Sequence, residues 1–167
     1  MVRPANGQEL SAGAAIHPPM KLLRTLTVML AAALVTTIAA AETPTETHNR
    51  ELVVSFYQQL FGDKDITVID RYVDEGYIQH NPTVPTGRAA IKELFGKYFV
   101  GAPKTKVDIR RVAASGDLVW LHIRAPMPNG SVSAVVDIFR VQGDRIVEHW
   151  DVIQQVPEKA ANDNTMF

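Results

Sequence analysis

The stretch VVDIFRVQGDRIVEHWDVIQ, residues 135–154, reads as two β-strands joined by a turn at Gly143-Asp144. Side chains in a strand alternate between faces, so counting from the turn places Val147, His149, Asp151 and Ile153 on one side of the second strand. A histidine and a carboxylate therefore share an apolar face. The register decides what stands opposite them. A strict two-residue turn pairs Asp137 with Trp150, whereas a longer, bulged turn pairs Asp137 with Asp151 and brings two carboxylates and an imidazole to one wall. The bulged register is the reading adopted here.

Working outward, the period of two extends back to Thr105. Val107, Ile109 and Val112 fall in one strand, Ser115-Gly116-Asp117 makes a turn, and Leu118–Ala125 forms the next strand. The loop from Pro126 to Gly130 ends in Asn-Gly, a strong turn signal. Residues 131–141 and 145–155 complete a meander of four antiparallel strands, and residues 156–167 read as a loose, polar tail.

Upstream, the pattern is helical. Leu52, Val53, Phe56, Tyr57 and Leu60 recur at helical spacing as far as Gly62. Ile66, Ile69, Tyr72 and Val73 mark a shorter helix starting near Asp65, whose carboxylate suits a helix N-terminus. Residues 77–82 are extended, because the residue before a proline avoids the helical region. Ile91, Leu94, Phe95, Tyr98 and Phe99 mark a third helix with a wide apolar stripe. Helices followed by consecutive strands predict an α+β domain, three helices packed on a curved, mainly antiparallel sheet.

Met20-Lys-Leu-Leu-Arg24, an uncharged run from Leu26 to Ile38, and small residues at Ala39 and Ala41 have the layout of a secretory signal. The expectation is a leader over residues 1–41, a domain over 42–157 and a tail over 158–167, in a protein exported to the periplasm or beyond. An uncleaved anchor is the alternative, though the run falls short of the ~20 apolar residues of a spanning helix; Met20 as the true start is another. No stable membrane association is expected once the leader is removed. There is no cysteine, which excludes disulfides, thiolate metal sites and thiol nucleophiles. Seventeen basic against eighteen acidic residues give a net charge of −1, and duplex binding needs many phosphates neutralised, so no nucleic-acid partner is expected.

Five segments carry a family resemblance: FYQQLF in the first helix, YIQHNP after the second, the Gly87-Arg88 start of the third, GDLVWLHIRAP at 116–126, and residues 135–154. With these the chain resembles the SnoaL-like polyketide cyclases of the nuclear transport factor 2-like superfamily, over roughly residues 46–157. The resemblance implies a cone-shaped α+β barrel holding an apolar cavity, commonly paired into a dimer through the sheet. In the cyclases an aspartate on the last strand serves as base in an intramolecular aldol condensation, and Asp151 matches it by position. Where those enzymes carry a histidine, this chain has Asp137.

Burying an unpaired carboxylate is costly, so Asp151 in an apolar strand is hydrogen-bonded, exposed or functional. It is read as the base. His149, His80, His122 and Asp137 are the remaining catalytic candidates, since imidazole suits proton transfer near neutrality and a protonated carboxyl can donate. Asn81, Trp120, Tyr57, Tyr98, Phe95 and Phe139 are expected to bind the substrate. Each has a plainer reading as a core, turn or strand-face residue.

The leading expectation is an enzyme of the cyclase or isomerase type that abstracts a proton next to a carbonyl of a small apolar molecule. No cofactor is implied, although His149 and Asp151 are spaced tolerably for one metal ion. The rival is a non-catalytic dimeric pocket protein that binds an apolar ligand or a protein partner.

Overall fold

The computed structural model describes residues 41–127 and 129–167; the expected leader up to residue 40 lies outside the described residues. Helix α1, Pro44–Tyr57, begins in a capping box: the Thr43 hydroxyl accepts from the Glu46 amide at 3.2 Å and Glu46 accepts from the Thr43 amide at 2.8 Å. It buries Leu52, Val53, Phe56 and Tyr57 and runs into a π-helical turn, Gln58–Gly62. The Gln58 amide fixes that turn to the segment entering the sheet. It donates to the Thr105 carbonyl at 3.2 Å and accepts from the Val107 amide at 3.1 Å, while the Thr105 amide donates to Gly62 O at 2.9 Å.

Helix α2, Val68–Tyr72, follows an Asp65 side chain that accepts from the Thr67 amide at 2.9 Å, in keeping with the acidic start expected there. Val73 does not continue this helix. It opens strand β1, Val73–Gln79, where only an extended segment was expected. Helix α3, Arg88–Tyr98, comes next, then β2, Asp108–Ser115; β3, Leu118–Pro126; β4, Val132–Gln142; and β5, Arg145–Gln155. The strand order is β1-β5-β4-β3-β2; β1 lies parallel to β5 and every other pair is antiparallel. The expected four-stranded meander is thus extended by a parallel fifth strand. Among the described residues no helix is long and apolar enough to cross a membrane.

The helices cover one face of the sheet. Val119, Leu121 and Ile123 of β3, Val135, Phe139 and Val141 of β4, and Ile146 of β5 point into the shared core. Ladder irregularities between Val73 and Ile78, Ile109 and Arg111, and Arg140 and Val141 bend the strands, and bulges of this kind give an open sheet the curvature of a cone.

The β4–β5 hairpin corrects one detail of the expectation and supports its consequence. Gln142 pairs with Arg145 and Val141 with Ile146 around a two-residue Gly143-Asp144 turn, so the turn is tight. The extra residue sits inside β5, where Arg140 pairs with Glu148 and Val147 is left over. Asp137 therefore faces Asp151 as expected. Ile146, not Val147, joins His149 on the inner face, because the bulge shifts parity by one.

Close approach at Gly62 makes a stability prediction. A Cβ there would stand 2.0 Å from Gln58 Nε2, which can move, and 2.7 Å from the Thr105 carbonyl oxygen, which is backbone. Gly62→Ala is expected to cost about 1–3 kcal/mol, the range for overpacking a filled site, in urea unfolding followed by tryptophan fluorescence. An unchanged midpoint would show that the segment before β2 is free to shift.

Candidate active site

Between α1, the π-helical turn, α3 and the inner face of the sheet lies a cavity of about 640 Å³. Much of its wall is apolar, from Phe61, Phe95, Phe99, Ile123, Val135 and Phe139. Its polar groups gather where β1, β4 and β5 adjoin: Tyr57, Tyr77, Gln79, Asn81, Asp137, His149 and Asp151. A mostly apolar pocket with a few convergent polar groups is the usual form of a small-molecule site.

Hydrogen bonds fix the proton positions. Gln79 Oε1 accepts from the Asn81 amide at 2.9 Å, and since a backbone N–H can only donate, the orientation of the Gln79 side chain is settled. The same oxygen lies 2.9 Å from His149 Nδ1, which must therefore carry a hydrogen. On the other side of the ring, Nε2 lies 3.0 Å from Asp137 Oδ1. One proton sits on that contact, either on the imidazole facing a carboxylate or on the carboxyl facing a neutral ring. Asp137 is 5% exposed, and its Oδ2 is buried without a hydrogen-bond partner among the described residues.

Asp151 is more open and is held differently. Asn81 Nδ2 donates to both its oxygens, at 2.9 and 2.7 Å. Asn81 is itself oriented by Thr83, whose amide and hydroxyl donate to Asn81 Oδ1 at 2.8 and 2.7 Å. Two tyrosines complete the polar end. Burial, then the negative charges of Asp137 and Asp151, push Tyr57 well above the ordinary phenol range; Tyr77 is raised by burial and the same two carboxylates. Both therefore stay protonated donors.

Of the expected site residues, Asp151, His149, Asp137, Asn81, Tyr57, Phe95, Phe139 and Tyr98 line this cavity, Tyr98 at the rim with 57% exposure. Three do not. His80, His122 and Trp120 lie on the other face of the sheet, and their expected places in the cavity are corrected accordingly. His80 stacks on Trp150, ring centroids 4.7 Å apart, and its Nε2 meets Glu148 at 2.8 Å. His122 Nδ1 lies 3.0 Å from Arg111 Nη1. The reason is parity: Leu121 and Ile123 point inward, so Trp120 and His122 point outward, and His80 alternates with Gln79 and Asn81.

Gln79 and Tyr77 were missed from sequence, though the alternation that places Asn81 inward also selects them. The end of the chain, expected as a loose tail, forms no helix or strand, and Phe167 rests on the outer face 5.9 Å from the His122 ring.

Asp137, His149 and Asp151 each offer a donor atom, all within 4.8 Å of one another, and these three would hold a metal ion if one bound. In this arrangement both ring nitrogens of His149 and both oxygens of Asp151 already have protein partners, so His149 would have to give up its contact with Asp137 or with Gln79 to ligate a cation.

A family model described as a SnoaL-like domain matches residues 53–149, from α1 to the middle of β5. The chain belongs to the SnoaL-like domain family. No curated protein matches it. Among solved structures, this SnoaL-like chain is similar to a nuclear transport factor 2-like protein of unknown function from Mesorhizobium loti, at 24% identity and TM-score 0.57, over 68% of this chain and 97% of that one. An epoxide hydrolase of M. tuberculosis, of the LEH-like type, is similar at 19% identity and TM-score 0.55, over 66% and 86%. A protein from Acidithiobacillus ferrooxidans described as a candidate polyketide cyclase is similar at 20% identity and TM-score 0.52, over 64% and 87%. At these identities the likeness establishes the fold, and activity has to be argued from the site.

The tyrosines of this SnoaL-like domain give a direct check. A phenol held protonated by the fold contributes stability that is fully present below about pH 10, its unfolded value, and is lost as the pH rises beyond it. Ultraviolet titration should therefore show Tyr57 and Tyr77, two of the four tyrosines, ionising only as the protein unfolds in alkali. Four phenols titrating together near pH 10 in the folded protein would contradict the site as described.

Proposed function

We propose that this SnoaL-like protein is an exported enzyme of the cyclase or isomerase type, acting on a small, largely apolar carbonyl compound by general acid–base chemistry. The observation that carries the reading is the convergence of Asp137, His149 and Asp151 on one wall of the 640 Å³ apolar cavity. Export rests on the pattern of residues 20–41, and the family's membership, with the fold it shares with proteins described as cyclases and hydrolases, supports a small-molecule enzyme.

In this reading Asp151 is the base. It is the carboxylate with access to the cavity, and Asn81 holds it in place while leaving it lone pairs for a C–H proton beside a carbonyl. The electron pair then moves onto the carbonyl oxygen. In this reading that oxygen takes the proton shared by His149 and Asp137 as their contact opens to the substrate, with the neutral Tyr57 hydroxyl as a second donor; each well-placed donor in a dry site lowers a barrier by roughly 3 kcal/mol. The enolate then closes onto a second carbonyl or is reprotonated at carbon. Gln79 and Asn81 are positioning residues, since they act through His149 and Asp151.

A homodimer is proposed through the outer face of the sheet, where Val136 and Val152 are exposed at 37 and 67%. That area matches in character what a second copy would cover.

Asp151→Asn tests the assignment, because the amide keeps the shape and the Asn81 contact while losing the basic lone pair. With a carbonyl substrate found by screening for exchange of α-hydrogens with deuterated solvent, turnover should fall about 10²–10⁴-fold at unchanged circular dichroism. Undiminished exchange in the variant would remove Asp151 as the base, and failure of the wild-type protein to exchange any enolisable compound that it binds would favour a binding protein.

A further inference from the structure

Two lysines line the cavity, Lys64 and Lys106. Among the described residues neither has a carboxylate within 4.0 Å. The acids of its polar end are otherwise engaged, Asp137 with His149 at 3.0 Å and Asp151 with Asn81. Lys64 is the better placed of the two. It is half-buried, it follows directly on the π-helical turn, and its ammonium donates to the Phe61 carbonyl and lies 4.9 Å from the centre of the Phe99 ring. An ammonium carries three hydrogens, so two remain to be used.

The backbone at Lys64 reinforces this placement. With φ at 62°, it is the one non-glycine among the described residues in the left-handed region. A conformation of that kind costs energy in any L-residue other than glycine and persists where its surroundings fix it. Here those surroundings aim a long cationic side chain at the cavity wall. Burial also lowers the pKa of Lys64, so the group gains from a negative partner.

A continuous aromatic wall joins this cation to the acid end. Tyr57, beside Asp137, is 4.6 Å from Phe61, Phe61 is 6.0 Å from Phe99, and Phe99 carries Lys64. Phe95 adds a ring 5.2 Å from Phe61. Rings set edge to face in this way offer flat apolar surface between two poles of opposite charge.

From this we infer that the ligand of the cavity is amphipathic: a flat apolar body lies along Phe61, Phe95 and Phe99 and carries an anionic group, a carboxylate or comparable acid, that Lys64 binds. The inference rests on the reading of this cavity as a small-molecule site and names the ligand class that it selects.

Binding of a matched pair of fluorescent probes tests it: anilinonaphthalene sulfonate, which has a flat body and an anionic group, and phenylnaphthylamine, its uncharged counterpart. Wild-type protein should bind the sulfonate more tightly than the neutral probe, and each should displace the other from one site. Lys64→Met should weaken the sulfonate at least tenfold relative to the neutral probe, and Lys64→Arg should keep the preference within about threefold of wild type, since the charge is retained. Lys64→Gly relieves the positive φ and also removes the charge, so it gives the same comparison should Lys64→Met fail to fold.

An equal ratio of the two affinities in wild type and the charge-free variants would overturn the inference, and so would a wild-type protein without preference for the sulfonate. The readout is binding alone. Failure of Asp151 as a base leaves it unaffected, and loss of the sulfonate preference leaves the role of Asp151 unaffected.

Discussion

One surplus residue in the last strand governs the site. Were Val147 paired in the ladder instead of bulged out of it, the tight Gly143-Asp144 turn would set Asp137 against Trp150 and turn both His149 and Asp151 toward the outer face. With it, the parity of everything beyond the bulge is reversed relative to the turn, and a carboxylate, an imidazole and a second carboxylate meet within reach of one another. The cost is local, one interruption in a ladder whose pairings from Arg140 to Ser133 are otherwise unbroken. The gain is that three ionisable groups on adjacent antiparallel strands are held by the ladder itself.

Most of the architecture was legible because alternation and helical spacing are properties of neighbouring residues. The helices around Leu52–Leu60 and Ile91–Phe99, and the strands of the meander, announce themselves in this way. The fifth strand did not. β1 pairs in parallel with β5, about seventy residues on, as the Asn81–Asp151 separation shows, and a run such as VDEGYIQ has no local partner to reveal it. The site divides along the same line. Asp137 opposite Asp151 could be argued from one hairpin, whereas the role of Gln79 in setting the His149 tautomer needs the remote strand.

The misplaced histidines have a different cause. The outer face is nearly as apolar as the inner one, with Ile138, Val136, Trp150 and Val152 alternating against the core residues, so hydrophobicity alone could not say which side His122 and Trp120 take. On that face Glu148 sits between Arg140, whose Nε donates at 2.8 Å, and His80, and both contacts hold its carboxyl below the usual range, Arg140 foremost. These charges lie on the sheet surface, partly shielded by one another. Their structural effect is to set the Trp150 ring, with the His80 imidazole stacked on it at 4° and the Arg140 guanidinium 5.5 Å from its centre.

The strand order β1-β5-β4-β3-β2 also has a temporal meaning. The strand that occupies the sheet's interior between β1 and β4 is the last of the five to be synthesised, and β1, made first, has no neighbour in the sheet until it arrives. A nascent chain therefore carries Gln79 and Asn81 without their partners His149 and Asp151 until residues 145–155 leave the ribosome. Closure of the sheet at β1 and assembly of the acid–base group are therefore one event, which waits for β5.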